Sequence, residues 1–276
     1  MPEATTLDLA LPDGRRLRAH ATAADAGTAT VLWHHGTPQS GALLAPVVAA
    51  AARRGLRVVS YGRPSYGGST PQPGRTVADA ADDARAVLDA FGVERAASVG
   101  ASGGGPHALA CAALLPDRTL AVVSIAGLAP FAGFHWSSGM AWDATLRAAL
   151  DGRAARAAVA EPDAPPGFVD ADWDALAGPW SALGADAAPA GAAYPDGMVD
   201  DDVAYAHPWG FSPADVGCPV LLVHGGLDRV VPPAHGRRLL ELLPDAQLWL
   251  RPRDGHVSVL TALPVALDWV VDLARG

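Results

Sequence analysis

One stretch constrains the fold of this chain more than any other. In "VGASGGGPHAL", residues 99–109, a short apolar segment runs into a serine set among glycines and then into a helix-forming segment. Glycine weakens strands and helices alike, so a cluster at this junction marks a backbone that must turn tightly. Gly100-Ala101-Ser102-Gly103-Gly104 fits G-x-S-x-G, in which the serine holds a strained strand-to-helix turn and the residues two before and two after must be small. Such a turn lifts Ser102 Oγ above the carboxyl edge of a parallel sheet, where open α/β sheets take their ligands. The plainer alternative is a glycine-rich helix start that binds phosphate or simply turns. What the rest of the chain supplies decides between them.

The flanking pattern predicts the sheet that the turn needs. "TLDLAL" and "RLRAHA", separated by "PDG", alternate apolar and polar residues as a β-hairpin does. Strand "TATVLWHHG", a helix at about 41–54, strand "RVVSY", helix "VADAADDARAVLDAFG", strand "AASVG", the helix after Ser102 and strand "LAVVSIAG" follow. That order implies a mostly parallel sheet with helices on both faces. Periodicity lapses over 131–212, which carries five of the eight tryptophans (Trp136, Trp142, Trp173, Trp180 and Trp209), and resumes with "CPVLLVHGG", helix "HGRRLLELL", strand "QLWL" and helix "VALDWVVDLA". Eight strands are predicted in all. A structureless loop of that length inside a compact domain is improbable, so 131–212 reads as a helical cap inserted into a core of 1–130 and 213–276.

Composition excludes several classes. At 276 residues, 50% hydrophobic and 18% charged, the chain can bury a substantial core. A net charge of −9 argues against nucleic acid or an anionic membrane as partner, since both need a basic surface. The start, "MPEATTLDLALPDGRR", has no basic segment followed by an apolar run and does not read as a signal peptide, and no apolar stretch is long enough to span a bilayer. Cys111 and Cys218 lack metal or redox spacing. A cytoplasmic protein with reduced thiols is the expectation.

A serine hydroxyl is a weak nucleophile and needs a base that is oriented by a carboxylate. "RDGHVS" offers His256, in a loop after the last strand, and "HGGLDRVVP" offers Asp228, just beyond the strand "VLLVHG". Asp254, two residues before His256, is the competing acid, but so close a neighbour rarely reaches the far ring nitrogen. The chain order Ser102, Asp228, His256 favours Asp228. Among the other histidines, His35 and His224 precede glycine at strand ends and suit structural hydrogen bonds. His107 lies on the helix behind Ser102, and His34 and His35 should point to opposite faces.

With these motifs the chain resembles the capped α/β-hydrolase fold serine hydrolases, the group of proline iminopeptidases, esterases and cofactor-free haloperoxidases. The resemblance adds "HHGTP" at 34–38: in relatives the residue after His-Gly gives one oxyanion-hole amide, here Thr37, and the residue after the nucleophile gives the other, here Gly103. One departure stands out. Where relatives often carry Asp-Arg-x-Gly-x-Gly-x-Ser, this chain has Gly62-Arg63-Pro64-Ser65-Tyr66-Gly67-Gly68-Ser69, with glycine for the aspartate and Ser65 for the first glycine.

The expected activity is hydrolysis of a small ester or related acyl compound through an acyl-enzyme, without metal or organic cofactor. Oligomeric state is not legible. A proline iminopeptidase-like aminopeptidase would need an acidic anchor in the cap; the only glutamate there, Glu161, followed by Pro162 and Asp163, reads as a solvated loop charge. A nucleophilic aspartate, as in epoxide hydrolases and dehalogenases, is disfavoured by a serine at the elbow. A hydrolase-fold binding protein with little turnover is the alternative outside enzymes. Trp136, Met140 and Trp142 are the candidates for lining a pocket over Ser102.

Overall fold

A computed structural model describes residues 4–25, 27–162 and 166–275. The first three residues of the opening segment, and Asp163, therefore lie outside the described residues. The strands are β1 (Ala4–Ala10), β2 (Arg16–Thr22), β3 (Thr30–His34), β4 (Arg57–Tyr61), β5 (Ala96–Ala101), β6 (Thr119–Ile125), β7 (Val220–Gly225) and β8 (Ala246–Arg251). They form one sheet in the order β1-β2-β4-β3-β5-β6-β7-β8. β1 and β2 pair antiparallel, as do β2 and β4, and every pair from β4 onward is parallel.

Strand periodicity divides the central residues between two cores. On one face Val31, Trp33, Val99, Val123 and Val223 pack against α1 (Ala45–Ala52) and α10 (Leu263–Arg275) through Val47, Ala51, Ala266 and Leu267. On the other, Leu32 and Val59 meet α2 (Ala80–Ala90), while Val122 and Leu222 meet α3 (Gly104–Leu114) and α9 (Ala234–Leu242). Each such buried side chain contributes about 1.5–3 kcal/mol, which holds the strand ends in fixed register. α1 begins later than its spacing suggested. Gly41, at φ +83°, lies against the Tyr61–Gly62 backbone, and Pro46 then sets the first helical turn.

The sheet reverses its winding direction at β3, whose neighbours are β4 on one side and β5 on the other. The crevice beyond the carboxyl ends of β3 and β5 is thus the switch point where such sheets bind ligands. Thr37 follows β3 there and Ser102 follows β5. Among the described residues, five α-helices lie between β6 and β7: α4 (Ala144–Ala149), α5 (Arg153–Ala157), α6 (Asp170–Ala177), α7 (Ser181–Ala193) and α8 (Pro195–Ala206).

Candidate active site

The elbow is built by close backbone approach. Ser102 stands at φ +52°, in the left-handed region that a side chain rarely adopts, with its N–H donating to Ile125 O at 2.8 Å. A Cβ at Gly100 would collide with the Gly104 carbonyl, and one at Gly104 with the His34 carbonyl, so both must be glycine. Ser102 Oγ lies 2.9 Å from His256 Nε2, and His256 Nδ1 lies 2.8 Å from Asp228 Oδ2. The other Asp228 oxygen accepts from the Val230 and Val231 N–H groups at 2.9 Å each, which fixes the carboxylate plane. Asp228 is buried and so is His256, whose ring is stacked by Phe168 at a centroid distance of 6.5 Å. Burial alone would lower the His256 pKa, but the charge and hydrogen bond of Asp228, with Asp172 behind them, raise it above its ordinary value. Asp254 does not compete: it pairs with Arg251 at 2.6 Å.

The turn after β3 meets the elbow directly. A Cβ at Gly36 would touch Ser102 Cβ at 3.5 Å, and one at Gly103 would meet Thr37 Oγ1 at 2.7 Å. Among the described residues, neither the Thr37 N–H nor the Gly103 N–H donates to a protein acceptor. Arg63, buried, binds the carbonyls of His35 and Gly36 and pairs with buried Asp201 of α8 at 2.6 Å. Burial opposes ionisation of Asp201, but Arg63 and Arg75 outweigh it and hold the carboxyl well below the usual carboxylate range. The departure at Gly62 has a steric cause, since a Cβ there would lie 2.6 Å from the Tyr66 carbonyl oxygen. Ser65, where relatives often carry glycine, sits at φ +75°.

Residues 29–263 match the family described as alpha/beta hydrolase fold. This chain is an alpha/beta hydrolase. It is 32% identical over 247 residues to RutD of Caulobacter sp. (strain K31), which carries the name of a carbamate hydrolase; the match covers 84% of this chain and 85% of that one. Epoxide hydrolase B of Mycobacterium tuberculosis (strain ATCC 25618 / H37Rv) is 36% identical over 125 residues, 43% of this chain and 35% of that one. Among solved structures, a thermophilic esterase from Thermogutta terrifontis superposes with a TM-score of 0.70 at 20% identity, over 98% of this chain and 99% of that one. The similarity to the esterase speaks to fold alone.

The buried histidines outside the run from Ser102 to Asp228 are held by structural bonds. His34 and His35 point opposite ways, to Ser98 Oγ at 2.9 Å and to the Arg63 N–H at 3.1 Å. His224 Nε2 donates to Val231 O at 2.8 Å, and His107 Nδ1 donates to Gly103 O at 2.8 Å. Burial, then the charge of Arg63, keeps His107 well below its ordinary pKa. His235 bridges the Ala129 N–H and Trp136 O, and burial brings it down to about 4.

The three pocket candidates fall in different places. Trp136 is buried with its Nε1–H donating to Ala129 O at 2.7 Å, beside a cavity of about 600 Å³ that Leu146 and Leu150 also line and that Ser102 does not. Met140 is half-buried against the same core, and Trp142 is 40% exposed. Their segment reaches the acid loop through Ala141, whose N–H donates to Arg229 O at 2.7 Å. Glu161 is exposed and pairs with Arg156.

Sequence reasoning missed the residues that hold the site from behind. Asp172 of α6, buried, accepts the Val257 and Ser258 N–H groups at 2.9 and 2.8 Å, the His256 N–H at 3.2 Å and the Ser258 hydroxyl at 2.8 Å. Asp186 of α7 takes the Ser40 N–H at 3.0 Å and its hydroxyl. Asp201 and Tyr205 take the Thr37 turn. The available signal was spacing: Asp201 and Tyr205 stand four apart, on one face of a helix.

Proposed function

We propose that this alpha/beta hydrolase cleaves a small ester or related acyl compound through a covalent acyl-enzyme. Ser102 attacks the carbonyl carbon while His256 Nε2 takes its proton. Asp228 fixes the imidazole tautomer and steadies the imidazolium, and the Thr37 and Gly103 N–H groups receive the developing oxyanion. The imidazolium then returns the proton to the leaving alcohol, and water, deprotonated by His256, releases the acid. One observation carries this reading: the unbroken hydrogen-bonded run from Ser102 through His256 to Asp228.

A carbamate carbonyl, as in the name of RutD, is open to the same attack, so it falls within this substrate class. Epoxide opening does not. A serine that opened an epoxide would be left as an ether, which the same machinery has no means of cleaving, whereas an acyl ester can be hydrolysed. An aminopeptidase finds little support in the helical segment. Its buried carboxylates near the site are already engaged, Asp172 by four N–H groups and Asp201 by two arginines. Because α6, α7 and α8 each reach a loop of the site, we read 131–212 as a cap on a core of 1–130 and 213–276. The two free thiols, Cys111 buried, suit the reducing cytoplasm.

The test is labelling with a serine-directed fluorophosphonate, read by intact mass. One adduct per chain on the wild type and none on Ser102→Ala is expected, together with hydrolysis of p-nitrophenyl acetate that outpaces amino-acid arylamides. A wild-type chain that stays unlabelled would turn the reading toward a binding protein on a hydrolase fold.

A further inference from the structure

The helical segment between β6 and β7 reaches both the elbow and the turn after β3. Two residues of α8, one turn apart, grip the two residues whose N–H groups are assigned to the oxyanion. Asp201 accepts the Thr37 hydroxyl at 2.5 Å, and Arg63 Nη2, itself paired with Asp201, donates to the same Thr37 oxygen at 3.0 Å. Tyr205 donates its hydroxyl to Gly103 O at 2.9 Å and stands 3.2 Å from Thr37 Oγ1. Tyr66 and Arg75 complete the cage, donating to Asp201 at 3.0 and 2.7 Å.

The chemistry of this cage is one-sided. Asp201 is wholly buried between two guanidinium groups, so it remains a charged acceptor that fixes where the Thr37 hydroxyl points. Burial, then the charge of Asp201, raises the Tyr205 pKa, which keeps the phenol a neutral donor toward Gly103 O. Gly103 must be glycine for the same reason: any Cβ would strike Tyr205 Oη. Neither anchor uses the N–H that faces the substrate. Thr37 is held by its side chain and Gly103 by its carbonyl, which leaves both amides free.

We propose that Asp201 and Tyr205 are positioning residues that set the spacing and aim of the Thr37 and Gly103 amides, so that the oxyanion hole is tuned from α8. The proposal rests on the acyl-enzyme reading above. A donor displaced from the path of the developing charge loses its effect in the transition state while leaving ground-state binding nearly intact.

The experiment compares Tyr205→Phe and Thr37→Val with the wild type, using p-nitrophenyl acetate and counting active sites by fluorophosphonate titration. Tyr205→Phe keeps the ring and deletes one of the two donors on Gly103 O, leaving His107 Nδ1 as the other; Thr37→Val keeps the shape and the N–H but deletes the hydroxyl. Each should lower kcat per titrated site by about tenfold to a hundredfold, part of the full cost of losing a donor, with KM within about twofold. Thr37→Ser, which restores the hydroxyl, should recover most of the loss seen in Thr37→Val. A merely structural role would reduce the fraction of titratable sites and leave the turnover of each unchanged. That result, with the wild type labelled and active, overturns the proposal but not the acyl-enzyme reading, whereas an unlabelled wild type defeats the latter first. Should Tyr205→Phe not fold, the Thr37 pair alone decides: equal turnover of Thr37→Val and Thr37→Ser per site overturns the assignment.

Discussion

The parallel sheet and the helical segment between β6 and β7 contribute to one site by different physical means. The sheet delivers Ser102, Asp228 and His256 by register. Ser102 and Asp228 follow β5 and β7, whose buried side chains leave the strand ends little freedom, and His256 follows β8, the half-buried edge strand paired in register with β7. The helical segment delivers carboxylates instead, two of them, Asp172 and Asp201, buried. Asp172, Asp186 and Asp201 reach out of α6, α7 and α8 to hold, respectively, the loop of His256, the loop at Ser40 and the turn of Thr37. Hydrophobic burial sets where the strands end, and charge-assisted hydrogen bonds set how the loops beyond them are posed.

The strongest way to break this comparison is to attack what the sheet supplies. Asp228→Asn should lower kcat for ester hydrolysis by about 10⁴-fold while thermal unfolding moves little, because the amide favours the wrong imidazole tautomer but still fits between Val230 and Val231. Asp254→Asn should leave kcat near wild type, since that carboxylate serves Arg251. A loss in Asp254→Asn with Asp228→Asn near wild type would mean that the loop after β8, not the end of β7, carries the acid.

The helical segment should show the opposite balance, with stability lost alongside rate. Asp172→Ala strands the His256, Val257 and Ser258 N–H groups in a buried place. An unsatisfied buried donor costs about 1–3 kcal/mol, and water entering the gap recovers part of it, so a net loss of about 2–4 kcal/mol is expected by chemical denaturation. The turnover of each titrated site should fall by about ten- to a hundredfold, as His256 loses its fixed aim. Unchanged stability would show that the loop after β8 holds its own shape and that α6 merely touches it.

The two regions also differed in how far they could be read from the chain alone. Strand periods of two, a serine among glycines and the order Ser102, Asp228, His256 each leave a local trace, so the core and the three side chains that meet at its carboxyl edge were legible. Asp172 left none and Asp201 only its four-residue spacing from Tyr205, because a carboxylate destined to cap a loop 86 residues away looks like any polar residue on a helix. Trp136 shows the converse. A large aromatic after β6 suggested a pocket wall, yet its indole is spent on Ala129 O and on packing against Phe131 and His235. The glycine at 62 gave a signal of absence only. Its meaning came from the Tyr66 carbonyl, which fills the space where a side chain would be.

The finest test separates the charge of Asp172 from its hydrogen bonds. Four groups bear on the His256 ring: Asp228 at Nδ1, Ser102 at Nε2, Asp172 behind the backbone of its loop, and His224, which is itself kept neutral chiefly by burial. In the proposed reaction only neutral His256 accepts the Ser102 proton, so kcat/KM should fall as pH drops through its pKa, which lies above the ordinary 6.5. Asp172→Asn keeps an acceptor oxygen for the loop but removes a negative charge that favours the imidazolium. The acidic limb of the kcat/KM profile should therefore move to lower pH, toward the value of an unperturbed imidazole, while the plateau falls less than in Asp172→Ala. A limb that stays in place would assign the whole of the raised pKa to Asp228, and with it the electrostatics of the site to the sheet alone.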